Sequence, residues 1–424
     1  MPIPLDPGEM PKTGYLLSRY PAVSHTFFLK EVLGLRQRGF VIEVASINDP
    51  DRPHAELPEV ERDEAGTTFY VKGGSKIGKL FSLIRILLSH PVVAARGFLA
   101  ACSLGMWDLR ERAFALLYLA EALLVGDWMR RRSLRHLHVH FAGPVASVGY
   151  LVSAAWKVPW SLTIHGPDEF FDQERFFLRK KFESTQFLIC ISDYARSQAL
   201  RVAPGLDPSC IDVVRLGVDC TALQPASNRE QADGIADHAP VRIVCTGRLV
   251  AAKGHRILIE ALAQLAREGL ALHTVFIGDG PERPALEQQC RRSDLIERVH
   301  LTGALNHAET LDLVANADIF VLASFAEGLP VALMEAMALG VVCVSTRING
   351  IPELIFDNQN GLLVAAGNPG LLQNAIARLV RDPALRQTMG RAARQTVEST
   401  YNLSRNHDLL AAALRSRLCE VEPS

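Results

Sequence analysis

Hydrophobic residues along this chain fall into short β-branched runs, separated by longer stretches in which they recur every three or four positions. The runs TGYLLS (13–18), VIEVASI (41–47), TTFYV (67–71), HLHVHF (136–141), WSLTI (160–164), FLICIS (187–192) and IDVVRL (211–216) predict a first series of strands. VRIVCTG (241–247), HTVFIG (273–278), RVHLTG (298–303), DIFVLAS (318–324) and VVCVST (341–346) predict a second. Strands spaced by helices imply parallel sheets with crossover connections, and two such series imply two doubly wound α/β domains. Between them CTALQPASNREQADGIADHAP (220–240) is polar and aperiodic, as a linker should be. The predicted layout is a domain over 1–222, a second over 223–400, and a closing helix in 401–424, capped near Ser404.

Composition narrows the picture. At 424 residues the chain is too long for one core and suits two of about 200 residues each. With 48% hydrophobic and 21% charged residues it reads as globular, and a net charge of -1 argues against nucleic acid as a partner. Eight cysteines lie scattered, without C-x-x-C or zinc spacing, mostly in apolar runs such as FLICIS; they read as small buried thiols in a reducing compartment. MPIPLDPGEMPKTG lacks the basic start and apolar core of a secretory signal. The longest apolar stretch, Phe114 to Val125, is interrupted by Glu121 and falls short of the roughly 20 residues of a membrane span. A cytoplasmic protein is therefore expected.

Region 72–136 stands apart, with eleven Lys and Arg against four acids. Within it Ile77, Leu80, Phe81, Ile84, Leu87 and Leu88 recur at helical spacing. Such a basic amphipathic segment suits an anionic membrane surface, and equally a helical insertion buried against its own domain.

Five places carry candidate chemistry. SFAEGLPVALMEAMALG (324–340) follows a strand with a loop, Pro330 and a helical run ending at Gly340; its helix start offers amides to an anion, and Glu327 and Glu335 offer carboxylates to sugar hydroxyls. GRLVAAKG (247–254) puts Arg248 and Lys253 at the carboxyl end of a strand, where two cations would neutralise a diphosphate. FIGDGPER (276–283) is a strand and glycine turn; Arg283 stands where a dinucleotide fingerprint needs its third glycine, so it reads as a tight turn beside a nucleotide. LTIHGPDEF (162–170) places His165 and Asp168 just past a strand, and the polar loop Ser18 to Thr26 occupies an equivalent position for an acceptor. Solvated surface charges and a structural histidine are the plain alternatives for each.

Together these motifs resemble family 4 of the retaining GT-B glycosyltransferases. The resemblance rests on Gly247-Arg248 with Lys253-Gly254, on Gly278-Asp279-Gly280, on the E-x7-E pair Glu327 and Glu335, on NGLLVAAGNP (360–369) and on IARLVRDPALRQTMGRAAR (376–394). The opening YPAVSHTF is similar to the YP-x-x-SETF of colanic-acid-type exopolysaccharide transferases, with His25 where glutamate is usual. The resemblance implies two Rossmann-like domains facing across a cleft, an N-terminal one for the acceptor and a C-terminal one for the nucleotide sugar, and a last helix crossing back to the first. It implies Glu335 on the donor ribose, Glu327 and His165 on the transferred sugar, and Arg248 and Lys253 on the diphosphate, assisted by Gly247, Gly278, Gly280 and the amides of Gly328 and Leu329. No cofactor or metal is expected: the donor is a nucleotide-diphosphate sugar, UDP favoured over GDP, and the acceptor a saccharide or lipid-linked hydroxyl. A GT-B epimerase or phosphorylase, a nicotinamide-dependent oxidoreductase and a non-catalytic sugar-nucleotide binder are the competing classes.

Overall fold

A computed structural model describes residues 10–22, 26–104, 109–226 and 239–419, the side chains of 109 and 110 excepted. His25 and most of the predicted linker lie outside the described residues. The chain forms two compact units, Met1–Val214 with His407–Ser424, and Arg215–Asn406.

The first unit is built on seven strands: β1 (Thr13–Arg19), β2 (Ile42–Asn48), β3 (Phe69–Tyr70), β4 (His136–His140), β5 (Trp160–Ile164), β6 (Phe187–Cys190) and β7 (Ile211–Val213). They lie in the order β3-β2-β1-β4-β5-β6-β7 and all pair in parallel. Strands of such a sheet are covered on both faces, so apolar runs replace strict alternation. In β1, Leu16 joins the core on one face with Val139, Leu162 and Met129, while Tyr15 and Leu17 join the other with Val44 and Ile189. Leu410, Ala411, Leu414 and Leu418 of the last helix, Leu403–Cys419, pack into that second core. This helix begins at Leu403 rather than at Ser404, and the Asn402 side chain accepts the Arg405 N–H at 3.2 Å.

The second unit carries β8 (Val241–Thr246), β9 (Leu272–Ile277), β10 (Val299–Gly303), β11 (Ile319–Leu322), β12 (Val342–Thr346) and β13 (Leu362–Val364). Their order is β10-β9-β8-β11-β12-β13, again all parallel. β13 was hidden from the sequence because only three residues, LLV, pair. TTFYV yields two strand residues, because the helix Glu59–Thr67 runs into its start.

Both sheets reverse direction of growth at one point, between β1 and β4 and between β8 and β11. The crevice beyond the carboxyl ends at such a switch point is where open α/β sheets bind ligands.

The basic region 72–136 is three helices, Lys76–Ser89, Pro91–Cys102 and Leu109–Arg132, inserted between β3 and β4. The Phe114–Val125 stretch buries Ala115, Leu119, Ala122, Leu123 and Val125 in the first core. No single helix among the described residues is long and apolar enough to cross a membrane, though the first two together pass that test with a 106° bend between them. Of the eight cysteines, five are buried, whereas Cys102 and Cys419 are exposed and Cys210 is intermediate.

Candidate functional site

In the second unit the loops after β8 and β11, 78 positions apart from Thr246 to Ser324, are brought side by side because their strands are hydrogen-bonded neighbours.

Each loop is fastened to the other by its backbone. Gly254 caps the helix His255–Arg267 with φ +66°, and a Cβ there would lie 2.0 Å from the Ala323 carbonyl oxygen. The Phe325 N–H donates to the Ala252 oxygen at 2.8 Å. On the other side, Gly278 has φ +139° and a Cβ would come within 2.0 Å of the Gly247 oxygen; at Gly280 it would come within 2.5 Å of the Leu249 oxygen. The glycine turn after β9 is thus required by loop-on-loop packing alone.

The side chains follow from this frame. Lys253 lays its stem over Gly247 and places Nζ 2.6 Å from Glu327 Oε1, and the Ser324 hydroxyl donates to the same oxygen at 2.7 Å. Glu327 is largely buried and Lys253 partly so. Arg248 is exposed, with no ion-pair partner among the described residues. Gly328 and Leu329 lead to Pro330, which is the N-cap of the helix Val331–Ala338 rather than part of its first turn; among the described residues no side chain caps that helix, and the Leu333 N–H turns back to the Pro330 oxygen at 3.1 Å. At the far end Gly340, φ +70°, closes it: the Gly340 N–H donates to Met337 and the Val341 N–H to Ala336. Glu335 projects from this helix with Oε1 3.4 Å from His307 Nε2. His307 and Ser324 escaped the sequence reading; the signal for His307 was its place in the loop and helix that follow β10.

Arg248, Lys253, Glu327, Gly247, Gly278, Gly280, Gly328, Leu329 and Glu335 therefore all belong to the second unit. They combine an exposed guanidinium, an ammonium–carboxylate pair, a helix start without a side-chain cap among the described residues and a second carboxylate, which is the equipment for a phosphorylated polyol.

His165 belongs to the first unit, at the carboxyl end of β5, and is buried. Its Nε2 lies 2.9 Å from His140 Nδ1, and Phe27, Phe28 and Phe141 surround the ring. Asp168 is exposed. Glu169, which the sequence reading passed over, accepts the backbone N–H groups of Ala142, His165 and Gly166 at 2.5, 2.6 and 2.8 Å. Burial pushes its carboxyl up to about 7 against those bonds. Beside it Lys181 donates to the Ala142 and Gly143 oxygens, and desolvation lowers it to about 7. The two side chains brace the turns after β4 and β5.

Residues 26–222 match the model of Glycosyltransferase Family 4, and residues 228–396 that of Glycosyl transferases group 1. The chain is 27% identical over 403 residues to the amylovoran biosynthesis glycosyltransferase AmsK of Erwinia amylovora, covering 92% of this chain and 96% of that one. It is 25% identical over 420 residues to the putative colanic acid biosynthesis glycosyltransferase WcaL of Escherichia coli (strain K12), covering 96% and 100%. Among solved structures, Anabaena Alr3699/HepE in complex with UDP superposes with a TM-score of 0.73 at 18% identity, over 96% of this chain and 100% of that one. The two matched models together take in most of the chain, which belongs to the group 1 and Family 4 glycosyltransferases and has the paired parallel-sheet α/β units of the GT-B fold.

Proposed function

We propose that this glycosyltransferase moves a hexose from a nucleotide-diphosphate sugar, UDP before GDP, to an acceptor hydroxyl with retention at the anomeric carbon, in exopolysaccharide or glycolipid synthesis. The observation that carries this reading is the meeting of Arg248, the Lys253–Glu327 pair and the uncapped helix Val331–Ala338 at the switch point of the second sheet. Arg248, Lys253 and the amides of Gly328 and Leu329 would bind the diphosphate and stabilise the charge that grows on it as the glycosidic bond breaks. Both bonds to Glu327 fall on Oε1, which leaves Oε2 for a sugar hydroxyl. Glu335 would take the ribose. The departing phosphate oxygen would accept the acceptor proton as the new bond forms on the same face. Positive charge comes from side chains and helix amides, so EDTA should leave turnover unchanged. The names of AmsK and WcaL, and the UDP in HepE, support polysaccharide synthesis and a uridine donor.

A thermal-shift series with UDP, GDP, ADP and dTDP tests this directly, since a ligand bound to the folded state raises the melting point by mass action. UDP should give the largest rise, and Glu335→Gln should reduce it. Equal, negligible shifts with all four would sink the donor assignment.

We also propose that the chain works on the inner face of a membrane, through the helices Lys76–Ser89 and Pro91–Cys102. Of the first, only Ile86 is buried; Phe81 is 67% exposed, Leu88 79%, and Leu99 on the second 70%. Lys76, Arg85 and Arg96 stand exposed among them. An anionic bilayer accepts both the apolar stripe and the basic rim, whereas a second copy of this chain would set like charge against like. Vesicles of phosphatidylglycerol should sediment the protein and those of phosphatidylcholine should not. Unchanged sedimentation of Phe81→Ser/Leu88→Ser, or self-association through this face, would overturn the reading.

A further inference from the structure

The turns that Glu169 and Lys181 brace contain a strained residue that the donor reading leaves unused. Phe141, which follows the last residue of β4, has φ +69°. Left-handed backbone is unfavourable for a bulky side chain, because its Cβ crowds the following carbonyl. Such strain persists only where the surroundings over-determine it, and it gathers at functional sites. Here the strained residue packs its ring on that of His165, with 4.6 Å between centroids.

Successive side chains of a strand point to opposite faces. His140 and Phe141 nevertheless touch the same two rings, Phe28 at 4.7 and 5.5 Å and His165 at 5.2 and 4.6 Å. The positive φ at Phe141 ends the alternation of β4 and swings the second ring to the side of the first. An extended residue in its place would carry the ring away from His165.

The peptide groups about this turn are held from both sides. The Phe141 N–H donates to the Thr163 oxygen at 3.1 Å, and the Ala142 N–H to Glu169 Oε2 at 2.5 Å. Lys181 Nζ donates to the Ala142 and Gly143 oxygens at 2.9 and 2.8 Å. Glu169 Oε1 meanwhile accepts the N–H groups of His165 and Gly166, so one carboxylate ties the strained turn to the turn that carries His165. Both side chains are buried. Apolar side chains would fill the same space without the cost of burying charge, but they would leave these N–H and carbonyl groups unpaired. We infer that Glu169 and Lys181 hold Phe141 in its left-handed conformation, and that these two and Phe141 are positioning residues for the His165 ring in sugar transfer.

The role in transfer rests on the donor reading above, with His165 beside the transferred sugar; the hold on Phe141 does not. The test is a nuclear Overhauser spectrum of the full chain labelled in its histidine and phenylalanine rings. The two rings are identified by the signals lost in His165→Gln and Phe141→Leu. The wild-type protein should show contact between the ring protons of His165 and Phe141, and Glu169→Gln and Lys181→Met should each weaken it, although Lys181 bonds only to the Ala142 and Gly143 oxygens of this turn. Two variants are used because either alone could unfold the site. Contact of full strength in the folded variants would overturn the inference. Each variant, and Phe141→Leu, should lower kcat about tenfold and leave the donor KM within about twofold, with no further loss when combined, as expected of residues that act as one unit. Normal kcat, or losses that add, would overturn the role in transfer. The nucleoside diphosphate thermal shifts read the second unit separately, so their failure would sink the donor reading and leave the ring-contact result standing.

Discussion

At the carboxyl ends of β4 and β5 the first unit buries neutral imidazoles behind aromatic rings, whereas beyond β8 and β11 the second unit keeps cations and carboxylates partly in water. Strand order is shared through the first six strands of each sheet, so topology does not account for the difference. What accounts for it is the loops. In the second unit glycines let backbone lie on backbone, and the charged side chains remain at the rim. In the first unit Glu169 and Lys181 hold the turns from inside, and the strand residues themselves are polar. One site is shaped by close backbone approach, the other by buried hydrogen bonds.

The sharpest break in that contrast is Gly278→Ala. It sets a Cβ against the Gly247 oxygen at a positive φ, and should cost at least about 3 kcal/mol. Hydrogen exchange should rise in the second unit and stay unchanged in the first.

Acid, by contrast, should weaken both units. His136 and His140 have an ordinary value of 6.5 when unfolded and are held near 3 in the fold. Between those values the unfolded chain binds the extra protons, so stability present above pH 6.5 is lost as pH falls. At pH 5 that is about 2 kcal/mol for each. Glu169, raised from 4.5 to about 7, has the opposite sign and regains about 2 kcal/mol between pH 7 and pH 5. His136, His140 and Glu169 together leave the first unit short by about 2 kcal/mol, with buried His138 adding to the loss, and His255, lowered to about 4, costs the second unit about 2 kcal/mol by the same arithmetic, so exchange should rise in both.

Lys253→Ala should lower turnover at least tenfold, equivalent to about 1.4 kcal/mol, while the melting point stays within a few degrees. Near-normal turnover would remove the ammonium from the mechanism. The smallest effect belongs to Leu88→Ser, which should change stability by less than about 0.5 kcal/mol because the side chain is exposed, yet weaken sedimentation with anionic vesicles.

The periodicity of the chain determined two parallel α/β units and most strand positions, because strands covered on both faces must be continuously apolar. The motifs GRLVAAKG and SFAEGLP likewise marked their loops, since glycine and proline at strand ends have few other uses. Tertiary structure alone decided that Lys253 pairs with Glu327, that His307 stands beside Glu335, and that Glu31 reaches His140 across more than a hundred residues. Sequence spacing carries local geometry, whereas these partners meet only because strand order brings distant loops to one edge.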